Sequence, residues 1–291
     1  MEANDLLKKV RKIEIKSRSL SQNMFAGVYH TAFKGRGVMF SEVREYQPGD
    51  DVRDIDWNVT ARQNRPFVKV YEEDRELTMM LMIDVSGSEK FGAIAGPKRD
   101  MMAEIAATLA FSSIANNDKV GVIFFSDRVE KFIPPKKGKS HILLIIREIL
   151  EIQPQGHGTD IDVALQFLNK AIKKHCSAFL LSDFIDESDY YQSMSVANRK
   201  HELAAIQVYD ERDTKLPDVG LLRVKDLESG KEIWVDTSLP SARQMYERQW
   251  YDYKQRVGSI TSRCGVDYIS IRTDKDFVKS LLEMFNRRAL R

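Results

Sequence analysis

Oxygen-bearing side chains cluster directly after an apolar run in the first third of the chain. Residues 77–83 are almost continuously apolar, and Asp84, Ser86 and Ser88 follow at alternating positions. A run of that length, bounded by a Ser/Gly turn, is typical of a buried strand in a parallel sheet. The alternation places one carboxylate and two hydroxyls on the same side of the turn. Hard oxygen ligands that converge in this way suit Mg²⁺, Mn²⁺ or Ca²⁺.

Two further oxygen donors lie where later elements should return to the same edge of the sheet. Thr159 stands in a glycine-containing turn just before a helical pattern, and Asp183 follows the run at 178–182. In open α/β sheets ligands bind at the carboxyl ends of the strands, where the loops diverge. We therefore predict that Thr159 and Asp183 join the first motif in one metal site. A serine-rich turn that only caps the next helix is the structural alternative for the first motif.

This set of residues resembles the metal-ion-dependent adhesion site of the von Willebrand factor type A domain. In that family Asp-x-Ser-x-Ser, a later Thr and a later Asp form one site. The resemblance assigns Asp84, Ser86 and Ser88 to the first loop, Thr159 to the second and Asp183 to the third. It also implies that an Asp or Glu of a protein partner fills an open coordination position on the metal. Mg²⁺ is the expected ion, with Mn²⁺ and Ca²⁺ as alternatives.

The chain from residue 77 onward alternates strand and helix patterns, which predicts a parallel sheet with helices on both faces. The expected strands are 77–83, 120–125, 129–133, 177–182, 203–209 and 268–271, with a hairpin over 221–235. The expected helices are 97–116, 140–152, 160–174, 190–199, 241–257 and 276–288. The strand at 129–133 should be an edge strand stopped by Pro134 and Pro135. With the resemblance, the fold prediction is an α/β, Rossmann-like type A domain over 77–291, with a hairpin insertion near 219–236.

The first 76 residues have a different pattern. Residues 5–20 form an amphipathic basic helix, which either packs on the body with a solvated basic face or serves as a membrane-surface or docking helix. Residues 38–71 carry strand and turn signals, but too few to bury a core alone. We therefore expect 1–76 to be a basic helix and a β-rich segment that pack on the main domain.

The β-rich segment carries a second resemblance. The run EVREYQPGDDVRDIDW at 42–57, followed by Ala-Arg at 61–62, Val-Lys at 68–69 and Glu-Glu at 72–73, resembles the signature of a bacterial family catalogued as domain of unknown function fifty-eight. Members join this signature to a type A domain and are typically encoded beside MoxR-type AAA+ ATPases, which implies such an ATPase as a partner. Physically, the interleaved Arg and Asp residues form either an ion-paired structural seam, with Trp57 as its apolar anchor, or a polar docking face.

Composition excludes several classes of function. The chain has 45 basic and 43 acidic residues, so its net charge gives no overall electrostatic attraction to nucleic acid. Its two cysteines form no disulfide framework or metal spacing, which fits a reducing compartment. No apolar stretch approaches the roughly 18 residues needed to cross a bilayer, and the first residues are acidic. We therefore expect a cytoplasmic protein without a membrane span.

Enzymatic motifs are weak around the predicted metal. The sequence lacks a phosphate-binding Gly-x-x-x-x-Gly-Lys-Ser/Thr, and Ser86 is not in a Gly-x-Ser-x-Gly turn. We therefore predict a non-enzymatic, metal-dependent protein-binding module, an adaptor or co-chaperone-like partner of a MoxR-type AAA+ ATPase. The alternative is a metal-dependent hydrolase that takes its base from His157, Asp160 or Asp186. A third possibility is a degenerate site that only stabilises the loops.

Overall fold

The computed structural model describes residues 3–21, 38–73, 77–87, 98–156, 158–225 and 232–290. They belong to two compact units, one formed by 1–33 with 78–291 and the other by 34–77. The strands are β1 (Val38–Glu45), β2 (Phe67–Glu73), β3 (Thr78–Asp84), β4 (Lys119–Phe125), β5 (Val129–Lys136), β6 (Ser177–Ser182), β7 (Glu202–Tyr209), β8 (Leu221–Lys225), β9 (Glu232–Asp236) and β10 (Asp267–Arg272). The helices are α1 (Ala3–Leu20), α2 (Trp57–Gln63), α3 (Lys98–Ala115), α4 (Lys139–Glu151), α5 (Ile161–Ala171), α6 (Tyr191–Lys200), α7 (Glu211–Thr214), α8 (Pro240–Cys264) and α9 (Phe277–Ala289).

Six strands form the central sheet in the order β10-β7-β6-β3-β4-β5. All neighbouring pairs are parallel except β4 with β5. The chain leaves β3 towards β4 and later returns to β6 on the other side of β3. That reversal places the topological switch point, where α/β sheets bind ligands, between the carboxyl ends of β3 and β6.

The apolar runs of the sequence form the buried strands of the core. Residues 79–83 of β3 are each 1% exposed or less, and all six residues of β6 are buried. A parallel strand covered by helices on both faces has no solvent side, so its sequence does not alternate. Burial on both faces fixes where each strand ends, and therefore where Asp84 and Asp183 lie.

Strand β5 corrects one prediction. It is the edge strand, as expected, but it does not stop at Pro134 and continues to Lys136. The pairing with β4 shifts register so that the two prolines lie opposite the single residue Gly121. A bulge at an edge tolerates residues that cannot donate a ladder hydrogen bond. A Cβ on Gly121 would lie 3.0 Å from Pro135 Cδ, so the glycine is required for this close approach.

Helix α8 corrects a second prediction. It was expected to end at residue 257, but it continues to Cys264. Gly265 ends it in the left-handed conformation, with φ of 68°, which glycine adopts without a steric penalty. The additional turns bury Ile260 and Thr261 against the body, and this burial outweighs the low helix propensity of Gly258.

Helix α1 belongs to the same unit as the sheet. Leu6 and Ile13 are buried, and the helix packs against α3 and α4. Ion pairs join Lys9 to Asp100 on α3 and Glu14 to Lys139 on α4. In the structure α1 therefore packs on the helices of the main domain. The predicted division at residue 76 placed this helix with the β-rich segment, whereas in the structure the helix belongs to the unit of the sheet. The packing of the β-rich segment on the main domain stays a prediction.

The second unit contains β1, β2 and α2, with β1 and β2 antiparallel. The Arg44 guanidinium forms a two-point contact with the Asp50 carboxylate, at 2.8 and 2.6 Å. Lys69 Nζ lies 3.7 Å from Asp56 Oδ2, and the choice between a structural seam and a docking face stays a prediction. Trp57 is 67% exposed, so its expected role as the apolar anchor of that seam was wrong.

No helix in the described part of the chain is both long enough and apolar enough to span a bilayer.

Candidate metal site

Asp84 is the last residue of β3, and its side chain is completely buried. Its Oδ1 accepts a hydrogen bond from the backbone N–H of Ser86 at 2.9 Å. Its Oδ2 accepts one from the hydroxyl of Ser182 at 2.6 Å. The Ser86 side chain also forms a hydrogen bond with this carboxylate. A carboxylate has about four lone-pair sites, so Asp84 has capacity for a metal ion in addition to these donors.

Asp183 follows β6 and is also completely buried. Its Oδ1 accepts a hydrogen bond from the backbone N–H of Ile185 at 3.1 Å, and its own carbonyl accepts one from Gln207 Nε2 at 2.9 Å. The next residue, Phe184, has a φ of 61°, an unfavourable left-handed conformation for a bulky residue. The backbone N–H of Phe184 donates to the Ser182 hydroxyl at 2.9 Å. A strained turn thus fixes the position of the second carboxylate.

The two carboxylates influence each other electrostatically. Burial and, after it, the negative charge of Asp183 together raise the pKa of Asp84 to about 7, against the opposing effect of the Ser182 and Ser86 hydrogen bonds. Like charges held together away from water favour protonation, or a cation between them. The repulsion between these two buried carboxylates is the reason that a divalent cation fits this group of residues.

Thr159 lies half-buried in the loop between α4 and α5. The residues after it are tied on both sides to the carboxyl edge of the sheet. The backbone N–H of Asp160 donates to the carbonyl of Ser126, which follows β4, at 2.9 Å. The backbone N–H of Ile161 donates to Asp186 Oδ2, in the loop after β6, at 2.8 Å. The structure therefore brings Thr159 to the same edge as Asp84 and Asp183.

Not every predicted residue can be placed. Ser88, the third member of the first motif, and His157, the histidine considered as a base, lie outside the described residues. Asp84, Ser86, Thr159 and Asp183 are described, and all four lie at the carboxyl edge of the sheet. Their roles as metal ligands stay predictions.

The loop that carries Thr159 is fixed close to the turn between β4 and β5. Glu130 Oε1 accepts hydrogen bonds from the backbone N–H of Gly156 at 2.7 Å and from the Ser126 hydroxyl at 2.6 Å. A Cβ on Gly156 would lie 2.3 Å from Ser126 Oγ and 2.0 Å from Asp127 Oδ1. Glycine is therefore the residue that permits this approach of the two loops.

Sequence reasoning missed a lysine at the site. Lys98 begins α3, and its side chain is 1% exposed. Its Nζ lies 2.6 Å from Asp183 Oδ2 and 3.3 Å from Asp213 Oδ2, a residue of α7 just after β7. A signal did exist, because a cation in the first turn of a helix opposes the helix dipole. A lysine in that position therefore predicts a carboxylate close to its ammonium group.

The other candidate bases already have structural roles. Asp160 caps α5 by accepting a hydrogen bond from the backbone N–H of Val163 at 3.1 Å. Asp186 accepts from the backbone N–H groups of Ile161 and Ser188 and from the Ser188 hydroxyl. Burial raises the pKa of Asp186, and these hydrogen bonds act in the opposite direction.

The donor set at this edge is made of hard oxygens. Among the described residues no three His, Cys, Asp or Glu side chains converge as a metal cluster. The candidate site instead combines two buried carboxylates with hydroxyls, and such ligands suit Mg²⁺ or Ca²⁺ better than Zn²⁺. The chemistry of the donors is thus consistent with a weakly held, hard divalent ion.

Comparison with known sequences identifies relatives over nearly the whole length. The family model described as "Protein of unknown function DUF58" matches residues 42–256. An uncharacterized protein of Mycobacterium tuberculosis (strain ATCC 25618 / H37Rv) is 31% identical over 277 residues, which cover 94% of this chain and 86% of that protein.

Solved structures show the same fold. A conserved hypothetical protein, BatB, from Bacteroides thetaiotaomicron superimposes with a TM-score of 0.50 at 14% identity, covering 74% of this chain and 100% of that one. An aerotolerance-related membrane protein from Bacteroides fragilis gives the same TM-score at 15% identity, with 74% and 98% covered. The predicted α/β, Rossmann-like fold, a central mostly parallel sheet flanked by helices, is confirmed.

Proposed function

The chain belongs to the family of proteins of unknown function DUF58, and on that premise we propose that it is a non-enzymatic, metal-dependent protein-binding module. One observation carries the proposal. Two completely buried carboxylates, Asp84 and Asp183, end neighbouring strands at the topological switch point and repel each other electrostatically. Such a pair is costly unless cations offset both negative charges, and Lys98 provides one positive charge at Asp183.

The residues that would hold the ion are Asp84, Ser86, Ser88, Thr159 and Asp183. When bound, a divalent ion supplies an open coordination position that attracts a carboxylate. The chain's own contribution is to keep its carboxylates in place. Ser182 orients Asp84 through a 2.6 Å hydrogen bond, and the strained turn after β6 orients Asp183. We propose Mg²⁺ as the ion, with Mn²⁺ or Ca²⁺ as alternatives.

The roles of Asp160 and Asp186 favour binding over hydrolysis. A metal-dependent hydrolase needs a group that accepts a proton from the attacking water. Asp160 caps a helix, and Asp186 accepts three hydrogen bonds that hold two loops together. Each would have to give up a structural hydrogen bond to act as a base. The hydrolase alternative therefore depends on His157.

We propose that the partner is a protein that presents an Asp or Glu side chain, and that a MoxR-type AAA+ ATPase acts with it. The partner's carboxylate follows from the open coordination position. We infer the ATPase because residues 42–57 resemble the signature of a family whose members are typically encoded beside such enzymes. In this arrangement the chain is an adaptor or co-chaperone-like component.

Thermal melting with and without metal tests the site itself. Wild-type protein should melt at a higher temperature as Mg²⁺ or Mn²⁺ is raised into the millimolar range, and EDTA should reverse the shift. Binding to the folded state alone adds about 2.7 kcal/mol when the ion is at 100 times its Kd. Asp84→Ala should lose the shift while remaining folded. Equal responses of wild type and Asp84→Ala would rule out an ion at this position.

Capture of a purified MoxR-type ATPase tests the partner. Wild-type protein should retain the ATPase in Mg²⁺ but not in EDTA, and Thr159→Ala should not retain it in either. His157→Ala is the matched control, and it should capture as well as wild type. Robust hydrolysis of generic phosphate or ester substrates that disappears in His157→Ala would favour the enzyme instead. Capture that is indifferent to EDTA would leave only a structural role for the site.

A further inference from the structure

A buried ammonium group lies beside the candidate metal ligands. The Lys98 side chain is 1% exposed, and lysine is almost never buried to this extent without a charged partner. Lys98 also opens α3, where the partial positive charge of the helix N-terminus adds to the cost of a cation. Two unfavourable effects therefore act on this ammonium, and nearby carboxylates offset them.

The carboxylate nearest to Lys98 is itself a predicted metal ligand. Lys98 Nζ lies 2.6 Å from Asp183 Oδ2, which is a short charge-assisted hydrogen bond. A metal ion at Asp183 would therefore lie close to an existing positive charge. Lys98 and the ion would use the same carboxylate, and each would weaken the hold of the other.

A second carboxylate gives Lys98 an alternative partner. Asp213 Oδ2 lies 3.3 Å from Lys98 Nζ. Asp213 is fixed by the capping box of α7, in which its Oδ2 accepts the backbone N–H of Asp210 at 2.8 Å. Asp210 is in turn held by the Thr273 hydroxyl at 2.7 Å. The ammonium is thus bracketed by a predicted metal ligand on one side and a rigid structural carboxylate on the other.

We propose that Lys98 is a built-in counterion of the metal site, which keeps Asp183 in place when no metal is bound and weakens the binding of the ion when it arrives. The inference rests on the proposed function, since it concerns the same site. Its consequence is that the free protein holds its metal weakly. Each negative charge that joins the site, including a partner's carboxylate, offsets the repulsion from Lys98. Lys98 acts through Asp183 and is therefore a positioning residue.

Titration with Mn²⁺ distinguishes a counterion from a merely structural lysine. Lys98→Met keeps most of the apolar stem and removes the charge. We expect its Mn²⁺ affinity, measured by calorimetry, to be at least tenfold tighter than that of the wild type. In EDTA the variant should melt below wild type, and Mn²⁺ should raise its melting temperature by more than it raises that of wild type. A structural role alone predicts the opposite, because a disordered Asp183 would bind metal less tightly.

Two further variants serve as controls. Lys98→Arg retains the positive charge and should keep the weak affinity of wild type. Asp213→Asn removes the alternative partner, so Lys98 should bind Asp183 more firmly and Mn²⁺ affinity should fall several-fold. If Lys98→Met does not fold with or without metal, Asp213→Asn decides, and unchanged or tighter Mn²⁺ binding by that variant would overturn the proposal.

The possible outcomes separate this inference from the proposed function. If wild type binds Mn²⁺ and Lys98→Met binds it equally or more weakly, the counterion role is wrong and metal-dependent binding stands. If only Lys98→Met binds Mn²⁺, the counterion role stands and the metal-dependent function of the wild type is wrong. If neither binds at any concentration up to tens of millimolar, both proposals are overturned.

Discussion

The two ends of the neighbouring strands β6 and β7 bury polar side chains in opposite ways. At their amino ends, Cys176 Sγ lies 3.3 Å from His201 Nδ1, and both residues are buried. Burial raises the pKa of the Cys176 thiol to about 12 and lowers the pKa of His201 to about 4, so both are neutral at pH 7. At the carboxyl end of β6, Asp183 forms a fully buried ion pair with Lys98.

The difference shows which buried polar groups indicate function. A neutral pair satisfies part of its hydrogen-bonding capacity internally and attracts no ion, even though His201 Nε2 has no hydrogen-bond partner among the described residues. A cluster that keeps charges away from water has a large electrostatic cost, and another ion can change that cost. Burial and polarity are common to both ends of the strands, and the carboxyl end of β6 adds a fully buried ion pair and diverging loops.

The largest expected effect comes from breaking the ion pair at the carboxyl end. Asp183→Ala removes the carboxylate closest to the buried Lys98 ammonium, whose distance to Asp213 Oδ2 is 3.3 Å. Removing one partner of a buried pair typically costs about 3–5 kcal/mol. We expect a loss of that size in the free energy of unfolding, measured by urea denaturation in EDTA.

A double variant sharpens this prediction. Lys98→Met combined with Asp183→Leu removes both charges, and apolar replacement of a buried pair is often neutral for stability. We expect it to recover much of the stability lost in Asp183→Ala but none of the metal-induced rise in melting temperature. A double variant as unstable as the single one would show that volume, and not charge, controls this end of the strands.

The carboxyl end was also the part of the site that the sequence predicted best. Asp84 and Asp183 each follow an apolar run that must be a buried parallel strand, so topology alone brings them to one edge. Thr159 required the loop before α5 to return to that edge, which the alternation of strands and helices also predicts. These inferences depend on local patterns whose spatial consequences are fixed by sheet geometry.

Lys98, Ser182 and Asp213 could not be placed in the same way. Lys98 meets Asp183 across 85 positions of the sequence, and no local pattern fixes that distance. Ser182 reads as the last residue of a strand, and its hydrogen bond to Asp84 depends on the pairing of β3 with β6. The same limit explains Trp57, since its exposure is set by what the folded chain leaves uncovered and not by its size.

The next largest effect should come from the pH dependence of the amino end. The pKa of His201 is lowered to about 4 by burial, with Lys200 and His175 acting in the same direction. The folded state therefore binds fewer protons than the unfolded state between about pH 4 and 6.5. Stability from this group is present above pH 6.5 and is lost as the pH falls towards 4, by about 3 kcal/mol in total.

His201→Asn isolates that contribution, because its side chain does not titrate. The difference in unfolding free energy between wild type and variant should shrink as the pH is lowered from 7 to 4. Urea denaturation in EDTA at several pH values measures this difference. The contributions of acidic groups elsewhere are the same in both proteins and cancel. A difference that stays constant with pH would mean that His201 has the same pKa in the folded and unfolded states, contrary to the lowered pKa expected from its burial at this end.

A smaller effect is expected from crowding the loop that carries Thr159. A Cβ on Gly156 would lie 2.3 Å from Ser126 Oγ, so Gly156→Ala must displace the loop or the turn after β4. Overpacking of this kind costs about 1–3 kcal/mol. We expect that loss together with a weaker metal-induced shift in melting temperature. Gly258→Ala is the matched control, because nothing lies within 4 Å of its Cβ position in α8.

The control should change stability in the other direction. Alanine in a helix interior is favoured over glycine by about 0.5–1 kcal/mol, so Gly258→Ala should be slightly more stable and should keep the full metal response. If Gly156→Ala lost stability but kept the metal response of the wild type, the Thr159 loop would not contribute to the ion.

The smallest effect is expected for Cys176→Ser at the amino end. The serine hydroxyl can donate to His201 Nδ1 where the thiol now makes its 3.3 Å contact, so the pair stays neutral and hydrogen-bonded. We expect a loss of less than about 1 kcal/mol, near the usual net value of one hydrogen bond. The rise in melting temperature with Mg²⁺ should equal that of wild type, whereas Asp84→Ala should lose it. An altered metal response in Cys176→Ser would show that the two ends of these strands are coupled, and the contrast between a structural end and a functional end would then be wrong.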